Sequence, residues 1–209
     1  MVFRKEIGEI YRLQVPFMSV YTSVFLVRRA AGHILVDCAT TAEDVERYII
    51  PALRKMGIAL SDIRYLFLTH SHSDHAGGKG CIIERHPKIQ IVSAEAPAVL
   101  SPLEIYPLPG HTPDSIGLFD PESGTLISGD GLQGAGIGMF RCSLAAGYAA
   151  YSESIARIKA DARIQNILFS HAYEPWYSNA AFGREEVEKR LADCPPCAIK
   201  EMRASEERK

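Results

Sequence analysis

Four side chains able to bind a metal ion fall within six residues of this chain: His70, His72, Asp74 and His75. In an extended segment alternate side chains face the same way, so His70 and His72 can grip one ion together. Asp74 and His75 lie just beyond, where the chain turns towards a helix, and can serve a second ion nearby. Imidazole and carboxylate are ligands that zinc, iron and manganese accept. Gly77 and Gly78 follow, and are expected to let the backbone turn tightly beneath such a site. Packing alone gives no reason to set two imidazoles and two further polar groups so close together. Isolated histidines are a different matter, and His33 and His86 read as surface or satisfied core residues.

The elements that must carry this cluster can be read from apolar spacing. Residues 9–15 alternate, 19–27 are dense in Val, Tyr, Thr and Phe, and 33–37 follow the Gly32 turn; all three read as strands. Thr40 and Thr41 precede Glu43 and Asp44 in a capping-box pattern. Val45, Tyr48, Ile49, Ala52, Leu53 and Met56 then recur at helical spacing up to Gly57, with Pro51 inside and expected to kink the helix. The continuous apolar run 64–69 has the character of a strand covered on both faces. Residues 78–86 suggest a short helix, and 88–92, 103–108, 115–119 and 125–128 further strands. The Gly- and Ala-rich stretch 131–147 reads as a long active-site loop. Helical spacing resumes at Tyr151, Ile155 and Ile158, 165–169 is the expected last strand, and 180–192 the expected last helix. His70, His111, Asp130 and His171 thus each follow a predicted strand, and strand ends lying side by side bring such residues to one rim.

With these positions in view, the chain resembles the metallo-β-lactamase superfamily, whose signature is His-x-His-x-Asp-His after a buried strand. The resemblance continues in order through Asp37 at a strand end, Gly110-His111-Thr112, Gly129-Asp130 and Ser170-His171. It implies an α/β fold (α+β in some schemes), a four-layer αβ/βα sandwich of two mixed sheets flanked by helices. It also implies two divalent ions, zinc foremost with iron or manganese as alternatives. His70, His72 and His111 would hold one ion, Asp74, His75 and His171 the other, with Asp130 bridging both. Asp74 and Asp130 are the carboxylates expected to serve catalysis, Asp130 by orienting a hydroxide shared between the ions and helping to move its proton. Asp37 is expected to be a hydrogen-bonding residue rather than a ligand.

Departures within the family narrow the activity. Zinc β-lactamases of the largest subclass place Cys where this sequence has Asp130, and they are secreted. The ligand set instead resembles the glyoxalase II group of thioester hydrolases, whose C-terminal glutathione-binding domain this chain is expected to lack. Pro113-Asp114-Ser115 stands where Pro-Gly-Ser is more usual and puts a charge near the metal rim. Tyr148, Tyr173 and Trp176 are candidate pocket walls. The expected reaction is hydrolysis of a small ester, thioester or lactone. The alternatives are a phosphodiesterase, a mononuclear iron oxygenase of the persulfide dioxygenase type, and a metal- or partner-binding protein without turnover.

Composition agrees with a small-molecule substrate. A net charge of −2 with scattered Lys and Arg gives no basic field for nucleic acid or a membrane. No apolar run approaches the roughly 18 residues that span a bilayer, and no signal-peptide pattern opens the chain. Five irregularly spaced cysteines suit reduced thiols and a cytoplasmic setting. Cys194 and Cys197 lack a second pair to complete a zinc site, and Cys142 reads as a small buried thiol. With no linker or repeat, residues 1–209 are expected to form a single domain with a tail frayed from about 200. A homo-oligomer is compatible with all of this.

Overall fold

The computed structural model describes residues 1–132, 144–171, 179–192 and 194. They fall into two compact units, Met1–Ala98 and Val99–Lys209, each built on one mixed sheet.

In the first unit, β1 (Arg4–Ile7), β2 (Ile10–Phe17), β3 (Val20–Val27) and β4 (His33–Val36) pair antiparallel in chain order. Two more strands, β5 (Ile63–Phe67) and β6 (Gln90–Val92), continue the sheet parallel to β4. Period-two alternation sends Leu13 and Val15 of β2 and Val24 and Leu26 of β3 into one core, with Val45, Ile49, Ala52 and Leu53. Full burial of each such side chain stabilises the fold by about 1.5–3 kcal/mol. Sequence pattern did not reveal β1, because Arg4, Lys5 and Glu6 show no alternation. It is held by β2, whose buried Arg12 bonds Glu6 and Ser23 at 2.8 Å each and lies 4.6 Å over the Phe25 ring.

The helical layer begins as expected. Thr41 and Asp44 form a capping box on α1 (Ala42–Asp44). Pro51 then changes its course in an unexpected way. Val45–Ile49 is π-helical, closed by the Ile50 amide on the Val45 carbonyl, and Pro51 sits in the first turn of α2 (Ile50–Lys55). Proline has no N–H to give to the preceding turn. The wide turn places it where no donor is required, within a run that stays helical from 42 to 55. Two short helices follow β5: α3 (Ser73–Ala76) and α4 (Lys79–Arg85).

The second unit orders its strands β11-β10-β9-β8-β7, with β7 (Glu104–Pro107), β8 (Ile116–Asp120), β9 (Thr125–Gly129), β10 (Asn166–Phe169) and β11 (Ala180–Phe182). β9 and β10 are parallel, joined by a crossover that contains α5 (Tyr148–Ala160); the other pairs are antiparallel. Tyr151, Ile155 and Ile158 of α5 pack on Phe119, Leu126, Ile167 and Phe169. The expected helix over 180–192 is corrected: Ala180–Phe182 is an edge strand on β10, and the helix runs over 184–192. Gly183, at φ +82°, makes the break, and its amide donates to the buried Asn166 side chain at 3.1 Å. Among the described residues no helix is long and apolar enough to cross a membrane. Most of the expected loop over 131–147, together with Cys142, Tyr173, Trp176 and Cys197, lies outside the described residues.

Candidate metal-binding site

The first unit supplies four of the expected ligands. Because β4 and β5 are parallel neighbours, Asp37 and Thr69 emerge at the same edge of the sheet. His70 follows at once. His72, in extended conformation, leads into α3, and α3 carries Asp74 and His75. The rings of His70 and His72 stand 4.7 Å apart, and those of His70 and His75 4.2 Å apart. His75 Nε2 lies 3.4 Å from Asp74 Oδ2. His70 and His75 are buried, while His72 is exposed.

Asp37 has the hydrogen-bonding role expected of it. It is fully buried at φ +62°, with its own amide bonded to Phe67 O at 2.8 Å. Its Oδ1 accepts the Thr69 amide at 2.8 Å, and its Oδ2 accepts His75 Nδ1 at 2.7 Å. Next along the chain, the Cys38 amide donates to His75 O at 2.7 Å and its thiol to the same oxygen at 3.2 Å. Burial first, and then the Asp37 charge, push that thiol well above the ordinary cysteine range.

Gly77 and Gly78 are required for a reason other than the turn anticipated. Gly77 has ordinary helical angles, φ −66° and ψ −31°. A Cβ on Gly77 would instead stand 1.9 Å from the Thr40 carbonyl oxygen, and one on Gly78 2.2 Å from that of Cys38. The segment that bears the candidate ligands and the segment that follows Asp37 touch backbone to backbone, with the Gly77 amide bonded to Ala39 O at 3.1 Å.

The second unit supplies the other three. β7 and β9 both run antiparallel to β8, and β10 is parallel to β9, so His111, Asp130 and His171 all lie past strand ends at one edge. All three are buried. Asp130 faces both histidines: Oδ1 is 3.3 Å from His171 Nε2, and Oδ2 is 3.8 Å from His111 Nε2. A β-bulge re-aims Asp130, because Ile127 and Gly129 pair with consecutive residues of β10 and leave Ser128 as the extra one. Gly129 is at φ +54°, and the Gly131 amide closes the turn on Ser128 O at 3.0 Å. The Ser128 hydroxyl lies within reach of Leu168 O at 3.3 Å.

Backbone and hydroxyl groups hold the His111 turn. Thr112 Oγ1 and Ser115 Oγ are 2.7 Å apart, and the amides of Ala145 and Ala146 donate to the carbonyls of His111 and Gly110 at 3.0 and 3.1 Å. Asp114 and Tyr148 are half-buried beside these groups in sequence. Among residues not singled out from sequence, Thr69, Ser115, Ser128 and Ala145 position the candidate ligands. Thr69 alone left a signal, as a polar residue closing an apolar run directly before the histidines. His33 and His86 are satisfied as expected: His33 Nδ1 accepts the Arg29 amide at 3.2 Å, and His86 Nε2 lies 3.0 Å from Ile63 O.

The donors fit a metal. Each unit gathers buried imidazole nitrogens and a carboxylate, all borderline or hard ligands, with Asp37 on the far nitrogen of His75 as carboxylates sit behind metal-binding histidines. The two free thiols of the first unit, Cys38 and Cys81, stand apart from this set: Cys38 bonds a backbone carbonyl, and Cys81 lies 3.6 Å from Glu46.

Comparison with known proteins agrees. A family model described as the metallo-beta-lactamase superfamily matches residues 19–104. The chain is 28% identical over 120 residues to a hydroxyacylglutathione hydrolase of Synechococcus, covering 49% of this chain and 48% of that protein. It is 30% identical over 146 residues to the beta-lactamase-like protein 2 homolog of Caenorhabditis elegans, covering 60% and 49%. It thus spans about half the length of these curated relatives. A hydroxyacylglutathione hydrolase of Legionella pneumophila is 26% identical over 188 residues, 77% of this chain and 70% of that one. Among solved structures, a metallo-beta-lactamase from Pseudomonas aeruginosa in its mono-zinc form aligns with TM-score 0.71 at 22% identity, over 91% of this chain and 93% of the other. One from Erythrobacter litoralis gives 0.69 at 23%, over 91% and 94%. These likenesses carry the expected α/β fold of two mixed sheets flanked by helices. Over residues 19–104 the chain is similar to the metallo-beta-lactamase superfamily, and over 91% of its length it shares the fold of these solved structures.

Proposed function

We propose that this protein is a cytoplasmic hydrolase that uses two divalent ions, zinc foremost, to cleave a small ester, thioester or lactone. His70, His72 and His111 would hold one ion, Asp74, His75 and His171 the other, and Asp130 both. The observation that carries this reading is Asp130 itself, a buried carboxylate whose two oxygens face two different histidines at 3.3 and 3.8 Å. Divalent ions bound to such donors supply Lewis acidity and bring the pKa of bound water from about 15.7 towards about 7. The chain's own part is to orient and to exclude. Asp130, fixed by the Ser128–Gly131 turn, presents carboxylate oxygens able to accept and pass on a proton. Asp74 stays partly open to solvent. Burial keeps bulk water from the rings of His70, His75, His111 and His171.

Relatives named as hydroxyacylglutathione hydrolases favour an acyl-sulfur bond as the target within this class. The thiols of Cys38 and Cys81, outside any disulfide, suit a reducing cytoplasm. A small-molecule substrate suits a surface without a basic field. The test is elemental analysis of the chain purified without chelator, followed by a panel of thioesters, lactones, esters and phosphodiesters. Near two equivalents of a divalent metal with turnover of an acyl substrate is the expected result. One equivalent of iron with oxygen uptake on a persulfide, or full metal loading without hydrolysis, would overturn it.

A further inference from the structure

We propose that Asp37 and Thr69 form one brace that fixes the ring orientation and tautomer of both His70 and His75, and so serves a ligand of each metal position. The assignment of those two histidines to different ions rests on the function proposed above; the brace itself rests on hydrogen-bond geometry. As a carboxylate, Asp37 only accepts. Its Oδ1 takes the Thr69 amide at 2.8 Å, and its Oδ2 takes the Thr69 hydroxyl at 2.9 Å and His75 Nδ1 at 2.7 Å. His75 is therefore protonated on Nδ1, which leaves Nε2, 3.4 Å from Asp74 Oδ2, as the nitrogen able to serve an ion.

The proton count continues through Thr69. Its hydroxyl has one proton, and that proton lies towards Asp37. The same oxygen sits 3.1 Å from His70 Nδ1, where it can now only accept. His70 is therefore also protonated on Nδ1 and also offers Nε2. The opposite choice, with Thr69 donating to His70, would set two oxygens 2.9 Å apart with no proton between them. The 3.5 Å separation of Thr69 Oγ1 from His75 Nδ1 is too long to compete with the 2.7 Å bond. Asp37 and His75 are 0% exposed, Thr69 1% and His70 2%, so water is excluded as a substitute partner. Asp37 reaches His75 directly and His70 through a hydroxyl.

Thr69 and Asp37 are thus positioning residues with separable effects. Thr69→Val keeps the shape and removes the hydroxyl, so it releases His70 while the Asp37–His75 bond stays. In a calorimetric zinc titration of the metal-depleted full chain, T69V should weaken one binding event about 10–100-fold and leave the other within about threefold. Asp37→Asn should weaken both, and Thr69→Ser, which restores the hydroxyl, should bring the first back. Unchanged affinities in T69V, or equal loss at both positions, would overturn the brace. A second measurement is independent of any metal. Imidazole nitrogen NMR of the metal-depleted wild type should show both His70 and His75 protonated at Nδ1. Absence of a proton from Nδ1 of either would sink the proposal. The expected tautomers with no zinc binding would uphold the brace and sink the metal-hydrolase reading instead.

Discussion

Replacing Gly77 with alanine adds one methyl group at a point where nothing can yield. The new Cβ would lie 1.9 Å from Thr40 O and 2.5 Å from Ser73 O, both backbone atoms. Alanine accepts the local angles of φ −66° and ψ −31° without strain, so the whole effect comes from the collision. Restoring even a tight 3.0 Å contact requires the two segments to part by about 1.1 Å, the difference between 3.0 and 1.9. That movement loosens Cys38 N to His75 O, Gly77 N to Ala39 O and Gly78 N to Ala39 O, now 2.7, 3.1 and 3.3 Å. At about 0.5–1.5 kcal/mol for each of the three bonds, with about 1–3 kcal/mol for overpacking and up to about 1 kcal/mol returned by helix propensity, the net loss is about 1.5–7.5 kcal/mol. Urea unfolding followed by circular dichroism would register this as a midpoint lowered by about 0.5 M or more, given m-values of about 1–3 kcal/mol/M. Gly80→Ala is the control, since its Cβ would meet nothing within 4 Å in α4 and should leave the midpoint unchanged or raised. A Gly77→Ala midpoint equal to that of Gly80→Ala would refute the reasoning.

Asp130→Asn, which removes a charge but hardly changes shape, should lower bound metal from about two equivalents to one or fewer with an unaltered dichroism spectrum; elemental analysis reads it. Asn166→Ala strips partners from Ser123 O and the Gly183 amide, now bonded at 3.0 and 3.1 Å. It should cost about 2–3 kcal/mol and lower the melting temperature by about 5–10 °C. Burial, then the hydrogen bond to Glu46, raise the Cys81 pKa, so its thiolate forms only at higher pH than in a free thiol. Alkylation of the native chain, mapped by mass spectrometry, should therefore be slow at pH 8 and rise as pH increases. It should proceed faster at Cys81 in Glu46→Gln, and remain negligible at the deeply buried Cys38.

What could be read in advance follows from how local each determinant is. The strands β2 to β5 carry their own alternation or apolar runs, and the ligands follow strand ends that composition marks. Thr41 and Asp44 announce their helix because a capping box is complete within four residues. By contrast, β1 and β11 are edge strands whose identity lies in their partners. Arg4, Lys5 and Glu6 read as surface, and Ala180 and Ala181 read as helix, until β2 and β10 offer them hydrogen bonds. Pro51 showed that the helix must be disturbed but not that the remedy would be a π turn. Gly77 and Gly78 were legible as necessary and misread as to cause, since a contact with residues 38 and 40 is invisible to neighbours in sequence. The candidate ligands were visible because chemistry marks them, whereas Ser128 and Ser115, beside them in the chain, are ordinary serines until a bulge and a turn give them partners.

The candidate ligands differ in how far apart the chain keeps them. His70, His72, Asp74 and His75 remain neighbours even in an unfolded polypeptide, whereas Asp130 and His171 meet only after α5 has carried the chain across from β9 to β10. Parallel pairing of that kind forms late, because loop closure must precede the contacts that reward it. A nascent chain can therefore chelate an ion through its N-terminal half before its C-terminal half exists. Affinity for the unfolded state subtracts from whatever stability the ion gives the folded one. The sequence separation of the candidate ligands thus sets a local group, adjacent even in an unfolded chain, apart from a group that needs the folded sheet to meet.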